Sequence, residues 1–95
     1  MSEQVYNRMK DWIPKPAWRK KRKNGDFLLL SSCDLDVHYL NSTAKEIVEL
    51  IEGRTIEQIC SIMLENYEVE PEILHNDVVR IIRDLQWKKL IRISK

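Results

Sequence analysis

Apolar and polar residues along this chain follow two periods, and the change between them falls at Asn41. From Ala17 to Asn41 the pattern reads as strand. Trp18 to Lys23 predicts a first strand. Asn24-Gly25 follows, a strong tight-turn signal because both central positions of such a turn need positive φ. Phe27-Leu28-Leu29-Leu30 predicts a second strand, and four apolar residues in succession point to burial on both faces or to a strand end tucked under a helix. Ser31 to Asp34 is a polar break. Leu35 to Leu40 predicts a third strand, with Leu35, Val37 and Tyr39 alternating against Asp36 and His38. Leu40 leaves that phase, so alternation alone does not say which face is inward at the strand's end.

Beyond Asn41 the spacing lengthens to that of helices. Asn41 or Ser42 is a good N-cap for a helix carrying Ala44, Ile47, Val48 and Ile51 inward, with Gly53 as its C-terminal stop. Thr55 opens a second helix, and Gln58 three residues on completes a capping-box pattern. Its apolar face is Ile56, Ile59, Cys60, Met63 and Leu64. Pro71 fits the first turn of a third helix, which runs to about Lys89. Leu90-Ile91-Arg92-Ile93 reads as a short closing strand. Strands first and helices afterwards predict an α+β fold, with helices packed on one face of a three-stranded antiparallel sheet.

Residues 1–16 read as an N-terminal arm ahead of a domain spanning residues 17–95. Pro14 and Pro16 disfavour a helix where they stand, and Trp12 is the residue suited to tack the arm onto the body.

Charge changes this picture in one place. The formal net charge of the 95 residues is only +1, but eight basic residues against one acidic residue lie between Arg8 and Lys23. The run Arg19-Lys20-Lys21-Arg22-Lys23 beside Trp18 suits either nucleic acid or an edge strand protected by charge. On the third helix, Asn76, Arg80, Arg83 and Trp87 fall opposite the apolar stripe. Two arginines beside Asp77 and Asp84 make a weak basic patch, so a DNA-binding regulator ranks second and nucleic acid is not the expected partner. No apolar run approaches the length of a bilayer span, and the N-terminus lacks the apolar core of a signal peptide. A cytoplasmic, reduced setting is therefore expected, with Cys33 in or beside a strand and Cys60 buried in a helix.

Candidate chemistry is sparse. The two histidines, His38 and His75, have no nucleophile at a telling spacing, and surface roles fit them better than general base. Asp34 and Asp36 share a strand face, an arrangement commoner for solubility than for acid–base work. Two glycines do not make a phosphate loop, and two cysteines without a CxxC pair do not make a metal site. No enzyme activity, cofactor or metal is expected. The third helix says more through its apolar arc: Leu74, Val78, Ile81, Ile82 and Leu85 form one stripe, which Val79 widens with Gln86 beneath it. The plain reading has Val79 touching another helix, and the sharper one has a helix flank lining an open groove.

The stretch Leu40-Asn41-Ser42-Thr43-Ala44-Lys45-Glu46-Ile47 resembles a signature of the PqqD-like family: a strand ending in Leu-Asn, a small residue or two, Ala, and an aliphatic shortly after. Ile51-Glu52-Gly53-Arg54-Thr55-Ile56 is similar to that family's helix end, glycine and helix restart. Ile59 to Tyr67, Asp77-Val78, Leu85 and Leu90-Ile91 continue the likeness in register. It covers about Trp18 to Ile91.

The resemblance implies a winged-helix-like layout and a recognition element for ribosomally made precursor peptides. In such domains the leader segment adds as a strand to the edge of the third strand and rests in the groove between it and the third helix. A separate modifying enzyme, a radical S-adenosylmethionine enzyme or a leader protease, then acts on it, and the domain does no chemistry itself. Carried onto this chain, the peptide-binding residues are Asp34, Leu35, Asp36, Val37, His38, Tyr39 and Leu40 on the strand, with Val78, Val79, Ile82, Arg83, Leu85 and Gln86 on the helix. Charge at the rim would come from Asp34, Asp36, Arg83 and Lys89. The basic arm with Trp12 departs from the family pattern and is expected to contact the modifying enzyme.

Overall fold

Side chains of successive residues in Leu28-Leu29-Leu30 point to opposite faces of the sheet, and the first and third leucines, Leu28 and Leu30, are fully buried. They form the floor on which the rest of the molecule is laid. The computed structural model describes residues 2–24, 27–32 and 36–94. In chain order the elements are α1 (Ser2–Met9), β1 (Ile13–Pro16), β2 (Lys20–Asn24), β3 (Phe27–Ser31), β4 (Val37–Leu40), α2 (Ser42–Leu50), α3 (Ile56–Asn66), α4 (Pro71–Trp87) and β5 (Ile91–Ser94).

β2, β3 and β4 form an antiparallel meander in the order β2-β3-β4, so β2 and β4 are its two edges. Lys20 pairs with Ser31 and Arg22 with Leu29, while Leu29 pairs with Tyr39 and Leu28 with Leu40. The predicted three-stranded sheet and three following helices are thus observed. The third strand begins at Val37; Leu35, like Gly25 of the expected turn and Cys33, lies outside the described residues.

The helix boundaries follow local chemistry. Asn41 caps α2, its Oδ1 accepting from the Ala44 N–H at 2.8 Å. Thr55 and Gln58 form the reciprocal capping box of α3: the Thr55 hydroxyl accepts from the Gln58 N–H at 3.2 Å and the Gln58 carbonyl from the Thr55 N–H at 2.8 Å. Pro71 occupies the first turn of α4. Gly53 takes φ of 71°, two residues beyond the α2 C-cap Ile51 and so one residue later than the spacing suggested. Ile47, Ile51, Ile56, Ile59, Met63, Val78, Ile82 and Leu85 meet the leucines of β3 in one core, and Cys60 of α3 is buried there too.

Residues 2–16 carry elements that periodicity did not reveal. α1 buries Tyr6 and Met9 in the same core, and the Tyr6 ring stacks on His75 of α4 at 3.7 Å between centroids. His75 is one turn before Val79, so α1 covers the flank of α4 that Val79 widens. Val79 is buried in the core, so this flank of α4 is not an open groove. β1 pairs antiparallel with β5 to make a second, two-stranded sheet, Pro14 opposite Ile93. Between α1 and β1 the backbone caps α3: the N–H groups of Ile56 and Glu57 donate to the carbonyls of Trp12 and Lys10 at 3.0 and 2.9 Å. Those are two of the donors that the first turn of a helix leaves unpaired.

Candidate functional site

β4 is short, and its two faces have unequal company. His38 is half-buried and Leu40 is buried against the helices, whereas Val37 and Tyr39 are 56% and 69% exposed. This answers the question that alternation left open. The inward pair is His38 and Leu40, and Val37 and Tyr39 face out. The Nε2 of His38 is buried with no hydrogen-bond partner among the described residues, which suits a side chain held for packing more than a catalytic base.

Where β4 runs into α2, the strand and α4 diverge and leave a groove of about 420 Å³. Tyr39 and Leu40 supply it from the strand, Asn41, Thr43 and Ala44 from the cap and first turn of α2, and Asp77, Arg80, Ile81, Asp84, Leu85 and Lys88 from α4. The α4 residues recur at three- and four-residue intervals, which is one stripe of a helix. Apolar groups (Leu40, Ala44, Ile81 and Leu85) lie between charged ones. Those charges are paired along the helix: Arg80 with Asp77 at 3.5 Å and Lys88 with Asp84 at 2.9 Å. Both pairs are largely exposed, so their gain in stability is small, but they leave this rim without an excess of either sign. A helix whose charges balance in this way is poorly suited to track a phosphate backbone.

Of the residues expected to bind peptide, Tyr39, Leu40 and Leu85 come together in this groove. Val78, Val79 and Ile82 lie behind it in the core. Val37 sits on the outer face of the sheet in a shallow hollow with Leu29. Asp36 is exposed just before the strand, and Arg83 is exposed on α4 away from the described cavities. Gln86 and Lys89 line a separate depression beside β5, with Ala17, Ile91, Arg92 and Ile93. Asp34 and Leu35 lie outside the described residues. Spacing alone did not point to Asn41, Thr43, Ala44, Asp77, Arg80, Ile81, Asp84 and Lys88 as groove residues. For α4 a signal was available: counting back and forward from Leu85 in steps of three and four gives Ile81, Asp77, Asp84 and Lys88. For α2 there was none, because only the turn between β4 and α2 brings Thr43 and Ala44 to the groove.

Among the described residues no group of His, Cys, Asp or Glu is arranged to hold a metal ion, and no helix is long and apolar enough to cross a membrane. Among the described residues one titratable group is clearly displaced. The Tyr67 hydroxyl donates to the Glu46 carboxylate, and that bond raises the phenol above its usual range, helped by partial burial and by the negative charge of Glu46. This contact joins the end of α3 to α2 and lies outside the groove.

With this geometry in view, the chain can be set beside known proteins. The family model for coenzyme PQQ synthesis protein D matches residues 28–91, more than half of the chain. Two solved structures share the fold. TbiB1 in complex with the TbiA(beta) leader peptide superposes with a TM-score of 0.72 at 21% identity, covering 77% of this chain and 87% of that one. A lasso peptide synthetase B1 complexed with its leader peptide gives a TM-score of 0.72 at 19% identity, covering 86% and 98%. No curated protein matches the sequence.

Proposed function

The chain belongs to the PqqD family, and from that premise we propose that it binds the leader segment of a ribosomally synthesised precursor peptide and presents it to a separate modifying enzyme. The observation that carries this reading is the placement of an edge strand, β4, directly beside a groove whose apolar floor is Leu40, Ala44, Ile81 and Leu85. An edge strand offers main-chain donors and acceptors along its outer side, and an extended peptide can take them up whatever its sequence. Selection then falls to side chains. Residues of an added strand alternate between faces, so every second one turns towards α4 and the groove. One aliphatic side chain fully buried there contributes about 1.5–3 kcal/mol before the ordering cost of the peptide.

In this reading the leader adds along Val37 to Leu40, and the chain positions the peptide while doing no chemistry on it. The two similar structures, both determined with leader peptides bound, support it. A radical S-adenosylmethionine enzyme or a leader protease is the expected recipient of the loaded peptide.

Titration of the 15N-labelled chain with the leader peptide of its precursor tests the proposal. Amide shifts are expected at Val37 to Leu40 and at Ala44, Ile81 and Leu85. Shifts confined to β2 or β5, or none at millimolar peptide, would sink it.

A further inference from the structure

The outer face of the three-stranded sheet has an order that leader binding does not use. Residues paired across strands point to the same side, so two rows on this face cross all three strands. One runs Lys20, Ser31, Val37 and the other Arg22, Leu29, Tyr39. Each begins with a cation on β2 and ends with an exposed apolar or aromatic side chain on β4. Between them lies a hollow of about 260 Å³ lined by Lys20, Arg22, Leu29, Ser31 and Val37. A solvent-facing sheet surface ordinarily alternates to polar residues, yet here three of six positions are Leu29, Val37 and Tyr39. Neither Lys20 nor Arg22 is in an ion pair among the described residues, whereas Lys23, on the opposite side of the same strand, reaches Glu49 of α2 at 3.7 Å.

We infer that this face is the docking surface for an amphipathic helix of a partner protein, with carboxylates along one flank and an apolar stripe beside them. Complementarity specifies that occupant. The two cations call for acids over β2, and Leu29, Val37 and Tyr39 call for an apolar strip alongside. The width fits as well: β2 and β4 are two strand spacings apart, about 9.6 Å, close to the ~10–12 Å diameter of one helix. The opposite face of the sheet is already covered by helices, so a docked helix would complete a third layer. A second copy of this chain offers no carboxylate on the equivalent face among its described residues and would desolvate four cations without a partner. Nucleic acid would find one exposed aromatic, Tyr39, in these two rows on which to stack. Only the identity of the partner rests on the reading above, which would make it the enzyme that receives the peptide; the surface itself does not depend on leader binding.

The test uses the full chain, 15N-labelled, and two synthetic helical peptides of about 15 residues, a length that a staple keeps helical. One carries a Leu stripe flanked by Glu, and the other replaces each Glu with Lys. The acidic peptide is expected to shift the amides of Lys20, Arg22, Leu29 and Val37, and to bind about tenfold or more tightly than the basic one. The double variant K20E/R22E, and separately V37K, should each weaken it by about tenfold, and both should keep the native denaturation midpoint because the substituted side chains are exposed. Equal binding of the two peptides, shifts only in the β4–α4 groove, concentration-dependent dimerisation abolished by V37K, or displacement of the peptide by a single-stranded oligonucleotide would each overturn the inference. Leader binding is read at Ala44, Ile81 and Leu85, so either reading can fail while the other stands.

Discussion

The two edges of the same three-stranded sheet are built in opposite ways. β2 reads Lys-Lys-Arg-Lys-Asn, and the four residues from Lys20 to Lys23 are all exposed. β4 reads Val-His-Tyr-Leu, carries no permanent charge, and lies against the groove under α4. An edge strand is a template for any passing chain, and lysines along it repel a second strand because pairing would strip water from the ammonium groups. One edge is therefore closed to strand addition by side-chain electrostatics, and the other is left open where a pocket can select what adds. The difference teaches that recognition here needs two conditions together, an unguarded main chain and a side-chain socket beside it. β2 has neither.

The largest perturbation removes the strand that carries both edges. Leu30 is fully buried and pairs with His38, so Leu30→Ala should cost about 2–5 kcal/mol, read by urea denaturation, with loss of leader binding as the fold loosens. Ile81→Lys sharpens the contrast by spoiling only the socket. Ile81 is half-exposed at the groove, so leader affinity should fall about ten- to a hundredfold while stability changes by less than about 1 kcal/mol; isothermal titration and melting together check this.

Making β4 resemble β2, with Val37→Lys and Tyr39→Lys together, should lower leader affinity by about three- to tenfold and leave the melting temperature nearly unchanged. The converse change, Lys21→Thr with Lys23→Thr, should unguard β2 and produce concentration-dependent association in sedimentation. The smallest effect is a control away from both edges. The folded-state pKa of Tyr67 is raised, so the stability it contributes is complete below the unfolded phenol value of 10.0 and is lost as pH rises through the folded value. Tyr67→Phe should therefore be slightly less stable than the parent at neutral pH, and the gap should close in alkaline solution with leader affinity unaltered.

Elements governed by neighbours a few residues away were legible in the chain. Asn41 as a cap, the Thr55–Gln58 box and Pro71 in the first turn of α4 each satisfy or avoid a helix-end N–H within three residues, so residue type and spacing suffice. A smaller part of the groove could also be read, through Tyr39, Leu40 and Leu85. α1 could not: an eight-residue helix is unstable alone, and it exists because Tyr6 and Met9 have α4 and the core to rest on. The segment after it serves α3 as a cap, so deleting residues 1–15 would remove two hydrogen bonds to Ile56 and Glu57 as well as that packing.

By itself the chain determined the order of elements from β2 to β5, the guarded and the unguarded edge strand, and the apolar arc of α4, since each depends on residue type at short range. Three matters waited for the tertiary structure: which face of β4 turns inward, that β1 pairs with β5 across nearly the whole chain, and that Thr43 and Ala44 join Ile81 in one groove. A period-two pattern specifies two faces without ranking them. The ranking comes from which face the helices cover, and that is settled by contacts between residues far apart in sequence, where no local spacing rule applies.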